Sequence, residues 1–159
     1  DVVGWLRTFT FRTREQIAEL EAAVAERPAA REAQRALALD VTTLVHGERA
    51  AQQAIAASQA LFGRGDLAEL DDATVAAAVS GLPSVAARVG DAVVDVLAAT
   101  DVFRGRSDAR RAVAEGGVYV NNVKVTSDEA LLSADDVLAG RFVLLRRGKK
   151  TLVVAELAD

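Results

Sequence analysis

Residues 104–125, RGRSDARRAVAEGGVYVNNVKV, constrain the fold more than any other stretch of the chain. Arg104 and Arg106 flank a glycine. Ser107 stands where a helix N-cap is expected, since its hydroxyl can accept from a free backbone N–H of the first turn. Ala109, Ala112 and Val113 share one helical face, with Arg110 at its edge and Arg111 opposite. Gly116-Gly117 ends the helix, because glycine enters the left-handed conformation without a Cβ penalty. Val118 and Val120 then alternate with Tyr119, Asn121-Asn122 supply a tight turn, and Val123 and Val125 alternate with Lys124. The pattern predicts a short basic helix feeding a β-hairpin.

The chain before this stretch reads as helices. Val2, Val3, Leu6 and Phe9 fall roughly on one side of a first helix, with Trp5 expected as a core or interdomain anchor. Thr13 followed by Gln16 is a capping-box pair opening a second helix, which continues through Ile17, Leu20 and Val24 until Pro28. Leu37, Val41, Leu44 and Val45 mark a third helix, ended by Gly47; Ala51, Ile55, Ser58 and Phe62 mark a fourth. His46, the single histidine, is expected at the end of the third helix with no catalytic role. Residues 1–63 are therefore expected to form an antiparallel helical domain.

Residues 64–90 read as a linker carrying one short helix over 73–80, capped by Asp71 or Asp72, with an extended segment from Ser84 to Gly90. Asp91 is expected to cap the next helix, whose Val93, Val96 and Leu97 pack inward beside the basic helix. After the hairpin comes a turn at 133–136, an apolar strand at 142–145, a basic hairpin tip at 146–150 and a returning strand at 152–154. Residues 91–159 thus form a second, small α+β domain, and the fold class is α+β overall with an all-α domain first.

Composition narrows the function. Hydrophobic residues make up 51% and charged residues 26%, which are globular values. No apolar run reaches the length of a membrane helix, so no membrane partner is expected. With no cysteine there is no disulfide or thiolate metal site, which fits a cytoplasmic location, and no metal ligands are expected. The chain has no methionine and begins at Asp1, which reads as a fragment or a processed product. Net charge is −4, but it is unevenly spread. Residues 104–150 hold ten Lys and Arg against six Asp and Glu, and the remainder is acidic. An acidic body with a basic end is the asymmetry expected where one module meets phosphate.

The order Arg106, Ser107, Ala109, Arg110, Arg111, then Gly116, Gly117, Val118, Val120, Asn121 and Val125 resembles the S-four RNA-binding domain. Upstream, Asp40-Val-Thr-Thr-Leu-Val-His-Gly-Glu48 resembles a signature of the helical domain of bacterial tyrosyl-tRNA synthetases. Phe9-Thr-Phe11 with Arg14-Glu15-Gln16-Ile17, and Arg31-Glu-Ala-Gln-Arg-Ala-Leu-Ala38, fit the same family. The resemblance covers essentially the whole chain and corresponds to that family's C-terminal part. It implies binding of a tyrosine-specific tRNA at the anticodon stem and long variable arm, within a parent that joins tyrosine to tRNA using ATP with magnesium. It also implies a homodimer formed through the catalytic domain.

The ATP-handling signatures of such synthetases, H-I-G-H and K-M-S-K-S, do not occur in this sequence, so no catalytic residue and no cofactor is assigned to the chain itself. The RNA-binding candidates are Arg104, Arg106, Ser107, Arg110, Arg111 and Lys124 of the first basic stretch. Arg146, Arg147, Lys149 and Lys150 of the second complete the set. Two other readings stay open: another S-four-containing protein, such as an rRNA-binding factor or RNA-modifying enzyme, and a helical protein-interaction module with an incidental basic end.

Overall fold

A computed structural model describes residues 1–158, which divide into two units at Gln53/Ala54. The first unit is helical: α1 (Val2–Phe9), α2 (Arg14–Glu26), α3 (Glu32–His46) and the start of α4 (Glu48–Leu61). The Asp1 carboxylate accepts from the Gly4 N–H, and the Thr13–Gln16 capping box forms at the head of α2. Val3 and Leu6 of α1 pack with Ile17 of α2 and Ala33 of α3 to make a small core. Arg12 clamps the α1–α2 turn onto α3 through a two-pronged pair with Asp40 at 2.5 and 2.9 Å. That hydrogen bond raises the Arg12 pKa further above its ordinary value.

Two expectations for this unit change. Trp5 is 57% exposed, so it is no core anchor; Val3 and Leu6 fill that place because they lie on the side of α1 facing α2 and α3. Leu44 and Val45 share a stripe of α3 with Leu37 but are exposed, and only Leu37 packs against the core.

The second unit is built on a five-stranded sheet of order β1-β5-β4-β2-β3. Its strands are β1 (Ser84–Ala87), β2 (Val118–Val120), β3 (Val123–Lys124), β4 (Phe142–Arg147) and β5 (Thr151–Leu157). β1 joins β5 in parallel and every other pair is antiparallel. α6 (Val93–Ala98) and α7 (Arg106–Ala114) cover one face, where Val143, Leu145, Val153 and Ala155 meet Leu97, Ala109 and Val113. The opposite face presents Phe142, Leu144, Leu152 and Val154 to Ala60, Leu67, Val75 and Val79.

The segment read as a linker over 64–90 is therefore a structural layer. Leu67 and α5 (Asp72–Val79) seal the second face of the sheet, and β1 extends the sheet itself. The division falls at Gln53/Ala54 rather than at residue 63, because Ala60 near the end of α4 belongs to the same cluster. The cause lies in β4 and β5: their apolar residues run continuously instead of alternating, which buries both faces and demands a cover on each. Asp71, not Asp72, caps α5. Asp91 does not cap α6; its carboxylate accepts from the Arg88 N–H and Ala92 holds the cap position.

Candidate nucleic-acid interface

α7 begins two residues earlier than a cap at Ser107 predicts. Gly105, at φ 117°, takes the cap position, so Ser107 lies inside the first turn and makes no capping bond. Asp108 supplies the anchoring carboxylate instead, accepting from the Arg104 N–H at 3.2 Å. Ala109, Ala112 and Val113 are buried as the spacing predicts, which leaves Arg106, Ser107, Arg110 and Arg111 exposed along the helix.

Each arginine of α7 meets a carboxylate from a different place. Arg106 pairs with Asp95 of α6 at 2.7 Å, and Arg110 reaches Asp128, in the loop after β3, at 3.4 Å. Arg111 contacts Asp108 at 2.8 Å and Glu115 at 4.0 Å along its own helix. Arg104 is exposed and makes no ion pair among the described residues.

Arg146 and Arg147 are placed differently from the rest. The expected basic tip over 146–150 is shorter, because β4 continues through Arg147 and leaves Gly148, Lys149 and Lys150 as the turn. The Arg147 guanidinium donates to the Val102 carbonyl at 2.7 Å, meets Asp108 at 3.2 Å and lies over the Phe103 ring. Arg146 lies over Tyr119, 4.0 Å from the ring centre, and donates to the Gly148 carbonyl at 2.7 Å. Both guanidinium groups are thus engaged within the unit and shape its surface. Asp108 receives from three sides; the Arg104 N–H first, then Arg111 and Arg147, hold its carboxyl below the usual range.

The two basic stretches meet at the end of α7. The Gly148 N–H donates to the Gly117 carbonyl at 2.7 Å, tying the turn that carries Lys149 and Lys150 to the α7–β2 connection. Lys124, on the edge strand β3, lies against Gly116, whose missing Cβ leaves the space its ammonium end occupies. Lys124, Lys149 and Lys150 are exposed and have no carboxylate partner among the described residues.

The hairpin turn fixes this surface in place. Asn121 and Asn122 have φ of 46° and 68°, as the paired asparagines predict. Their side chains also bond outward: Asn121 accepts from the Leu144 N–H and donates to the Asp136 carbonyl, and Asn122 donates to the Ala60 carbonyl. The carboxylate partners Asp95, Asp108 and Asp128 are not marked as such by the helix and hairpin pattern of the sequence. Asp108 could be found, as an acidic residue in the first turn of a helix. Asp95 and Asp128 could not, since only the fold brings them to α7.

Among the described residues no group of three His, Cys, Asp or Glu side chains is arranged to hold a metal, and no helix is long and apolar enough to cross a membrane.

The family model of the tyrosine–tRNA ligase SYY-like C-terminal domain matches residues 74–155, from α5 to the middle of β5. A tyrosine–tRNA ligase of Streptomyces avermitilis is 52% identical over 156 residues, 98% of this chain and 37% of its own length. Relatives of the same description from Streptomyces coelicolor and Thermobifida fusca are 51% and 49% identical, covering 99% and 96% of this chain. The chain therefore spans only 36–37% of the length of these relatives. Matched over more than half its residues by one family model, and over nearly all of them by such relatives, the chain belongs to the tyrosine–tRNA ligase C-terminal-domain family.

Proposed function

We propose that this chain is the tRNA-binding portion of a tyrosine–tRNA ligase, holding tyrosine-specific tRNA by its phosphate backbone. The observation that carries the reading is the meeting of α7, with Arg106, Arg110 and Arg111 exposed, and the turn bearing Lys149 and Lys150, through the Gly148–Gly117 bond. Lys124 and Arg104 extend the same cationic surface. A-form RNA presents phosphates and 2′-hydroxyls rather than a readable major groove, which suits guanidinium and ammonium groups displayed on a rigid helix and turn. In this reading the whole protein joins tyrosine to its tRNA in the cytoplasm, with ATP and magnesium handled by a catalytic domain that also forms a homodimer.

The test is a salt titration of binding to a tyrosine tRNA transcript. Each phosphate contact contributes a log–log slope of roughly −0.7 to −0.9, so Arg110→Ala is expected to flatten the slope by about one contact and lower affinity. Arg7→Ala, which removes an exposed charge from the helical unit, serves as the control. A slope that responds to Arg7→Ala and not to Arg110→Ala would move the RNA surface away from α7.

A further inference from the structure

The cations of this surface differ in whether a carboxylate already holds them. Arg106 and Arg110 each hold an exposed carboxylate, Asp95 at 2.7 Å and Asp128 at 3.4 Å. Lys124, Lys149 and Lys150 hold none among the described residues. We propose that Asp95 and Asp128 are specificity-determining residues: they occupy Arg106 and Arg110 until a correctly placed phosphate displaces them, and so select folded tRNA over other RNA. The inference rests on the RNA-binding reading above.

Neither pair is built for stability. The side chains of Asp95 and Arg106 are 49% and 58% exposed, and those of Asp128 and Arg110 are 51% and 55% exposed. Pairs this open are weak and are readily exchanged for another anion. Their effect falls on binding. An unstructured RNA can slide its phosphates toward the lysines, whose attraction is long-range and indifferent to shape. To use Arg106 or Arg110, a phosphate must arrive at the guanidinium with geometry good enough to replace a carboxylate already there, while the displaced carboxylate repels any phosphate out of register. The lysines thus supply attraction, and the paired arginines supply discrimination. The acids come from α6 and from the loop after β3, so the fold carries them to α7 from two separate elements.

The experiment compares binding of a tyrosine tRNA transcript and of a polyuridine of equal length to the 159-residue chain and to its Asp95→Asn and Asp128→Asn variants. Glu156→Gln is the charge control, because its exposed pair with Arg141 lies at the other end of β4 and β5. Each aspartate variant is expected to bind polyuridine roughly two- to fivefold more tightly, with a smaller gain for tRNA, so that the ratio between them narrows. Glu156→Gln is expected to leave that ratio unchanged. Thermal unfolding at matched melting temperatures separates this from a folding defect, and Asp95→Glu is expected to restore the ratio. If both aspartate variants keep the wild-type ratio, or match Glu156→Gln, the inference is overturned while the RNA-binding reading stands. If the wild-type chain binds neither RNA, both fall together.

Discussion

Gly116 separates two costs that are easily confused. Its φ of 69° is strained for any residue with a Cβ, and an added Cβ would also meet the end of the Lys124 side chain. The lysine end is flexible and can swing away, so the backbone decides. Gly116→Ala is expected to destabilise the second unit by about 1–2 kcal/mol. Adding Lys124→Ala to that variant is expected to recover little of the loss in a denaturant titration. Full recovery would mean that the clash, not the dihedral angle, sets the cost. Asp108 gives a second residue-level expectation. Its carboxyl is held below its ordinary value, so the ionised form stabilises the fold at neutral pH. That contribution is complete above the unfolded value of about 4 and is lost as pH falls through the lower folded value. Asp108→Asn is therefore expected to melt below wild type at pH 7, with the gap closing on acidification below about pH 4. A gap that stays constant down to pH 2 would contradict the assignment.

At the scale of elements, the sequence was most legible where local chemistry decides. The Thr13 capping box, the Gly47 stop, the Asn121-Asn122 turn and the buried face of α7 all follow from spacing and backbone preference. The same local logic placed the α7 cap at Ser107, where Gly105 and Asp108 share the work instead. What remained hidden was set by distant partners. The strands β4 and β5 advertised two buried faces through their continuous apolar runs, yet nothing local says that Leu67, Val75 and Val79 supply the second cover. Similarly, Arg146 and Arg147 look identical to Lys149 and Lys150 in a charge count, and only the aromatic rings beneath them reveal the difference. The role of 64–82 as a layer is directly measurable. Leu67→Ala is expected to cost about 2–4 kcal/mol, as for other buried leucines. A cost near zero would return the segment to the status of a linker.

Across the whole molecule, the two units differ in how much they bury. The helical unit rests on Val3, Leu6, Ile17 and Ala33, whereas both faces of the sheet in the second unit are sealed. Amides of α1 to α3 are accordingly expected to exchange with solvent faster than those of β4 and β5, and to do so through a separate opening. Coincident exchange of both sets would mean that the units unfold as one. The topology of the sheet also dictates an order of events. β1 precedes the other strands of the sheet, but Ser84 meets its partner only at Val154, and β5 stands between β1 and β4 although it follows every other described strand in sequence. Until β5 arrives, β1 has no strand partner, and each apolar layer lacks its β5 residues, Val153 and Ala155 on one face and Leu152 and Val154 on the other. A chain interrupted at the Lys149-Lys150 turn would therefore lose far more than one strand, exposing the surfaces by which chaperones and proteases distinguish unfinished proteins from finished ones.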